Sequence, residues 1–169
     1  MAFCHITNDE KGANMSTKQN GSQDAIALLT SEHREVSAMF KQFEELSDRA
    51  KASKKKLVDQ ITTALKLHTQ IEEEIFYPAV REASDELGDS VDEAVVEHAS
   101  AKDLIAQLDE MDPDDELYDA KVKVLGEQVE HHVGEEEKEM FPKVKKLGLD
   151  LAALGQEMAA RKEELAATA

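Results

Sequence analysis

His68-Thr69-Gln70-Ile71-Glu72-Glu73-Glu74-Ile75-Phe76-Tyr77-Pro78 is answered, 64 residues on, by His132-Val133-Gly134-Glu135-Glu136-Glu137-Lys138-Glu139-Met140-Phe141-Pro142. In each copy a His precedes a Glu by four residues and a Pro by ten, and an aromatic residue stands directly before the Pro. On an α-helix, positions i and i+4 lie on one face with Cβ atoms about 5–6 Å apart. The flanking apolar residues say which face. Ile61, Leu65, Ile75 and Ala79 keep helical spacing only if His68 and Glu72 complete their stripe, and Val122, Leu125, Val129 and Met140 run likewise through His132 and Glu136. Each copy therefore aims an imidazole and a carboxylate at the interior of a helical protein.

Working outward, the repeat extends to a preceding helix in each half. His33 lies on the stripe Leu29, Val36, Phe40, Phe43, and His98 on the stripe Val91, Ala94, Ala101, Ile105, Leu108. The pattern predicts helices over about 24–49, 54–83, 91–111 and 113–146, with a linker at 50–53 and a turn at 84–90 in which Ser90 caps the next helix. It predicts a break at Asp112-Pro113 with Asp112 as cap, Pro78 and Pro142 interrupting their helices, and Gly148 ending the fourth. An amphipathic helix over about 150–166, carrying Leu151, Leu154, Met158 and Leu165, is expected to pack across one end. Four long helices with short connections make an all-α, up-and-down antiparallel four-helix bundle. The expected organisation is a disordered tail at 1–22, the bundle at 23–148 and the added helix at 149–169.

Composition agrees with this class: 169 residues, 41% hydrophobic and 34% charged, with seven Gly, three Pro and no Trp. A net charge of −17 argues against nucleic-acid or anionic-membrane partners, which need clustered Lys and Arg. The single cysteine, Cys4, allows no intrachain disulfide. No apolar run reaches the roughly 18 residues of a membrane span and the N-terminus has no signal-peptide core, so a cytoplasmic location is the default. Met15 is an alternative start to Met1.

Six polar groups then face the core: His33, His68, Glu72, His98, His132 and Glu136. One core His is ordinarily a residue bonded to a backbone carbonyl. Four on four helices, in step with two inward Glu, call for a cation, because a buried carboxylate is costly unless paired or coordinating. Without thiolates, Cys-rich structural zinc is excluded, and imidazoles disfavour a calcium or magnesium cage. Two octahedral ions bridged by two carboxylates, each also holding two His, would use all six ligands and leave positions for an exogenous ligand. Two non-haem iron ions suit this donor set, manganese less well.

The motifs Glu32-His33-x-x-Val36, His68-x3-Glu72-Glu73-x-Ile75-Phe76-Tyr77-Pro78, Glu97-His98 and His132-x3-Glu136-Glu137-x3-Phe141-Pro142 resemble the hemerythrin-like HHE cation-binding domain over about residues 24–146. The resemblance implies that the four His and two Glu are di-iron ligands, with Glu72 and Glu136 bridging. It departs from the oxygen-carrying hemerythrins in two places. Their third helix bears His-x3-His, whereas Lys102 follows His98 here, and their fourth-helix carboxylate is five residues from its His rather than four. The set is closer to the iron–sulfur cluster repair di-iron proteins, whose N-terminal Cys-containing domain has no counterpart in this sequence. His131 points about 100° away from His132 and is expected at the rim. Glu73, Glu74, Glu97, Glu135 and Glu137 are expected in solvent or orienting His N–H groups, and the sequence leaves Tyr77 and Tyr118 unplaced. The expected function is binding or sensing of a small diatomic ligand, O2 or NO, or of iron. The alternative is a di-iron oxidoreductase or a repair and stress-defence protein that removes peroxide or NO or donates iron; binding is favoured because the core offers no dedicated general acid or redox cysteine.

Overall fold

The computed structural model describes residues 23–168. The expectations for the tail, including Cys4 and Met15, lie outside them. Helix α1 (Ala25–Glu45) opens on Asp24, whose carboxylate accepts the Ala27 N–H at 2.8 Å, an ordinary N-cap. Helix α2 (Lys51–Ile71) runs through a π-helical turn (Glu72–Phe76) into α3 (Tyr77–Ala83). Helix α4 (Gly88–Asp109) returns, and α5 (Tyr118–Glu135) passes through a second π-helical turn (Glu136–Met140) into α6 (Phe141–Val144). The four long rods form the expected all-α bundle. Helix α7 (Leu151–Thr168) is the added one, reached through Gly148 at φ +74°.

The two π turns are where the expected stripes fail. Proline at position 78 or 142 has no N–H to donate, and its ring would press on the carbonyl four residues back. Widening one turn relieves this: the Tyr77 N–H bonds to Glu72 O and the Phe141 N–H to Glu136 O, each reaching back five residues. One extra residue rotates everything downstream by about 100°. Hence Phe76, Tyr77 and Val80 are buried, while Ile75 and Ala79, expected inward, are only half-buried. In the second copy Met140 stays buried and is joined by Phe141 and Val144.

Several boundaries also differ. Helix α2 begins at Lys51 rather than 54, absorbing most of the expected linker, because Lys54 is drawn inside to pair with Asp119. Helix α4 begins at Gly88, so Ser90 lies within it and caps nothing; a 3-10 turn (Asp85–Leu87) leads in, held by the buried Leu87. Helix α5 starts only at Tyr118, since residues 112–117 are used in turns where Asp115 accepts the Asp112 N–H. Helix α1 stops at Glu45, short of 49, and its expected core residue Phe40 is half-buried. Helix α7 does not cross an end. It starts against the beginning of α1, where Gly155 meets the backbone of residues 23–25, and runs along α1 and α2 far enough for Lys162 to reach Glu32.

Apolar packing falls into two clusters. One, around Leu29, Ile71, Phe76, Tyr77, Phe141 and Met158, lies on the α3/α6 side; the other, around Val36, Leu65, Ile105, Tyr118 and Leu125, fills the opposite end. The six inward polar groups form the layer between them. Among the described residues no helix is long and apolar enough to cross a membrane.

Candidate metal centre

All six expected residues come together, each no more than 7% exposed. Helix α1 supplies His33, α2 and its π turn His68 and Glu72, α4 His98, and α5 and its π turn His132 and Glu136. The imidazoles meet in two pairs through their inner nitrogens: His33 Nε2 to His68 Nε2 is 3.2 Å, and His98 Nε2 to His132 Nε2 is 3.1 Å. Each carboxylate reaches one member of each pair. Glu72 Oε2 lies 3.2 Å from His68 Nε2 and 3.4 Å from His98 Nε2, and Glu136 Oε2 lies 3.2 Å from His33 Nε2 and 3.6 Å from His132 Nε2. Donor atoms held roughly 2.1 Å from a common cation stand roughly 3.0–3.4 Å apart in octahedral or tetrahedral geometry. Five of the six observed separations fall in this range, and the sixth, His132 to Glu136 at 3.6 Å, lies just beyond it.

The donor chemistry passes a second test. Both carboxylate oxygens of Glu72, and Oε2 of Glu136, are buried without a hydrogen-bond partner. Among the described residues no Lys or Arg pairs with either acid. Burial, then the charge of Glu136, pushes the Glu72 carboxyl well above the usual carboxylate range. Burial pushes Glu136 the same way, but the close approach of His33 and the charges of His132 and His33 outweigh that and hold it low. Two carboxylates this close cannot both stay ionised cheaply unless cations sit between them.

A ring of four carboxylates fixes the imidazoles from behind. Glu137 accepts from His33 Nδ1 at 2.9 Å, Glu32 from His68 at 2.7 Å, Glu73 from His98 at 2.9 Å and Glu97 from His132 at 2.7 Å. With Nδ1 protonated and engaged, each Nε2 presents its lone pair inward. Burial lowers His68 and, to about 4, His98, so both remain neutral donors near pH 7. Three of these anchors were among the expected orienting groups; Glu32 was not. Its signal is the dipeptide Glu-His, present at 32–33 and again at 97–98, in which the Glu serves the His of the neighbouring helix. Glu74 and Glu135 anchor none of the four inward imidazoles: they pair with Arg161 and His131.

The family model for the hemerythrin HHE cation-binding domain matches residues 24–144. The chain belongs to that family. A crystal structure of an HHE cation-binding domain-containing protein from Mycobacterium kansasii superposes with a TM-score of 0.70 at 24% identity, covering 84% of this chain and 86% of that one, which shows the shared fold. A curated relative from Nostoc sp. (strain PCC 7120), named DNA nickase, is 29% identical over 123 residues, which are 73% of this chain. The chain spans about a third (33%) of that relative's length.

Around the centre of this HHE domain the remaining expected residues separate cleanly. Tyr77 belongs to it, donating its hydroxyl to Glu136 Oε1 at 2.8 Å and standing 3.4 Å from His98 Nε2. Tyr118 lies in the far apolar cluster. His131 is 66% exposed at the rim, as its angular offset requires. Lys102, where the oxygen carriers have a second His, ion-pairs with both oxygens of Glu73 at 2.6 and 2.7 Å and so braces the anchor of His98. Beside the imidazoles lies a cavity of about 30 Å³ walled by Val36, Leu65, Ala101 and Val129.

Proposed function

We propose that this HHE domain is a non-haem di-iron protein that binds or senses O2 or NO, with His33, His68, Glu72, His98, His132 and Glu136 as ligands. One observation carries the reading: each buried acid touches one imidazole of each pair, an arrangement that serves two cations bridged by two carboxylates. Glu72 joins the two imidazole pairs on one side and Glu136 on the other. When bound, an iron pair would supply reversible one-electron changes and open coordination positions. The chain's own part is positional. Glu137, Glu32, Glu73 and Glu97 hold the rings in the required tautomer, and the apolar walls keep bulk water from the cavity. A volume of about 30 Å³ exceeds the roughly 10–15 Å³ that one water needs, which suits a diatomic and not an organic substrate.

One observation favours the oxidoreductase reading: the Tyr77 hydroxyl holds a proton 2.8 Å from Glu136, beside His98, where a phenol can deliver a proton and an electron. The strand nicking named for the Nostoc relative does not carry over on a match to a third of its length, and a net charge of −17 argues against a DNA partner.

The test is elemental analysis of protein from its own host, followed by anaerobic iron titration of the metal-free chain and exposure to O2 or NO. Two irons per chain and an absorption change reversed on removing the gas are expected. Consumption of O2, peroxide or NO over many turnovers would replace the binding reading by the enzymatic one, and absence of bound metal would end both.

A further inference from the structure

The two halves of the repeat supply an internal control. In the first half, the surface beside the inner ligands carries Leu28, Ile71 and Ile75, packed into the apolar cluster that includes residues of α7. Their counterparts in the second half are Glu93, Glu135 and Glu139, and the position matching Leu67 is His131. There, among the described residues, no added helix packs on the surface as α7 does on the first half. A cleft of about 50 Å³ opens between α4 and the second π turn, lined by Glu93, Glu97, Glu135 and Glu139 and reaching His132 and Glu136 at its base. Among the described residues no Lys or Arg lines it. At its base Glu136, 1% exposed, has an oxygen without a hydrogen-bond partner.

Two of the residues that line the cleft, Glu97 and Glu135, belong with the exposed His131, itself outside the lining, to a second constellation of donors. His131 Nε2 lies 3.5 Å from Glu97 Oε1 and 3.3 Å from Glu135 Oε1, and the three ligand atoms fall within 4.8 Å of one another. Donors roughly 2.1 Å from one first-row divalent cation stand roughly 3.0–3.4 Å apart when adjacent, close to the two distances from His131. Glu97 faces both ways, since its other oxygen, Oε2, accepts from His132 Nδ1 at 2.7 Å.

We propose that His131, Glu97 and Glu135 form a peripheral site for a divalent transition-metal cation, at the outer end of the acidic cleft through which that cation reaches the inner centre. The second half of this statement rests on the di-iron reading; the first does not. The site has three protein donors, with water completing the shell, so it captures a cation weakly and releases it. Its counterpart in the first half is closed by leucine and isoleucine, which makes loading one-sided.

Histidine side-chain NMR of the full, metal-free chain titrated with zinc chloride tests this. In the wild type the His131 resonance, identified by its loss in His131→Ala, moves as zinc is added. In Glu135→Gln its apparent affinity falls at least tenfold, the low end of what outer-shell changes cost elsewhere, while His33, His68, His98 and His132 reach the same final occupancy. In His131→Ala those four fill several-fold more slowly and to the same final stoichiometry. A His131 resonance that zinc leaves unmoved, or moves equally in Glu135→Gln, overturns the peripheral site. An unchanged filling rate in His131→Ala overturns the route. Failure of the di-iron reading shows separately, as inner histidines that ignore zinc while His131 responds.

Discussion

Tyr77 and Phe141 occupy the same place in the two copies of the motif, and they differ by one oxygen atom. Each ring lies against the first-helix His of the other half. Tyr77 sits over His98 with centroids 5.6 Å apart, and Phe141 stacks on His33 at 6.0 Å with an interplanar angle of 4°. Tyr77 also donates to Glu136, which therefore keeps only one unpartnered oxygen, whereas Glu72 receives nothing from Phe141 and keeps two. The repeat gives a nearly symmetric centre, and this difference makes its two buried acids unequal. An acid with a donor is settled without a cation; an acid without one is held only by what binds it.

The largest effect should follow from removing either acid. Glu72→Met or Glu136→Met lowers iron content toward one ion per chain or none, by elemental analysis; two irons retained in either variant would break the assignment of bridging ligands. If the acids are unequal, their metal-free forms also differ. Glu72→Met, deleting a buried carboxylate with no hydrogen bond, raises the stability of the metal-free protein by about 1–3 kcal/mol, seen as roughly 2–4 °C in Tm per kcal/mol. Glu136→Met gains less because it also strands the Tyr77 hydroxyl.

The comparison sharpens with the hydroxyl itself. Tyr77→Phe costs the metal-free protein about 1.5–3 kcal/mol in urea denaturation, the range for a hydrogen bond to a charged group. Adding Phe141→Tyr recovers part of that loss by giving Glu72 its donor, and no recovery would mean that the asymmetry has another origin. Next in size is the outer ring. Lys162 of α7 bonds to Glu32, the anchor of His68, at 2.6 Å, and among the described residues no equivalent lysine reaches Glu97. Lys162→Met should weaken metal binding by roughly tenfold, the low end for outer-shell partners, as measured by chelator competition.

The smallest effect concerns the tyrosine that lies away from the centre. Burial, followed by the charges of Asp59, Asp119 and Asp112, pushes Tyr118 up to about 12 from 10.0. A raised native value means that its contribution to stability is complete below about pH 10 and is lost as pH rises through about 12. Tyr77 is also raised well above 10.0, by burial first and then by Glu72 and Glu136. Ultraviolet titration of the native chain should therefore show little tyrosinate at pH 10, where two exposed tyrosines would be half ionised.

The six inward residues were legible because a charged side chain on an apolar stripe breaks a pattern that periodicity makes conspicuous. The bundle followed from the same stripes. Other features were not legible, for separable reasons. The reversal of Ile75 and Phe76 depends on a widened turn, and a proline tells the reader that the ladder must change without telling whether it kinks, ends or swells. Glu32 escaped because an anchoring acid works through space on a residue 36 positions away, and only the repeated Glu-His dipeptide hints at it. The starts of α2 and α4 were misjudged because Lys54 and Leu87 are fixed by burial across the bundle and carry no local capping signal. The role of Tyr77 needed the partner half in place, since its hydroxyl crosses to Glu136.

The close seat of Gly155 has a mechanical consequence. A Cβ there would stand 2.3 Å from Gln23 O and 2.8 Å from Ala25 N, so α7 is clasped to the start of α1 at a point where even a methyl group would act as a wedge. Seven residues further on, about 10 Å along the rod, the same helix grips Glu32 through Lys162. Clasp and grip share one stiff lever. The outermost helix is thus tied at one point to the start of α1 and at another, through Glu32, to the back of His68.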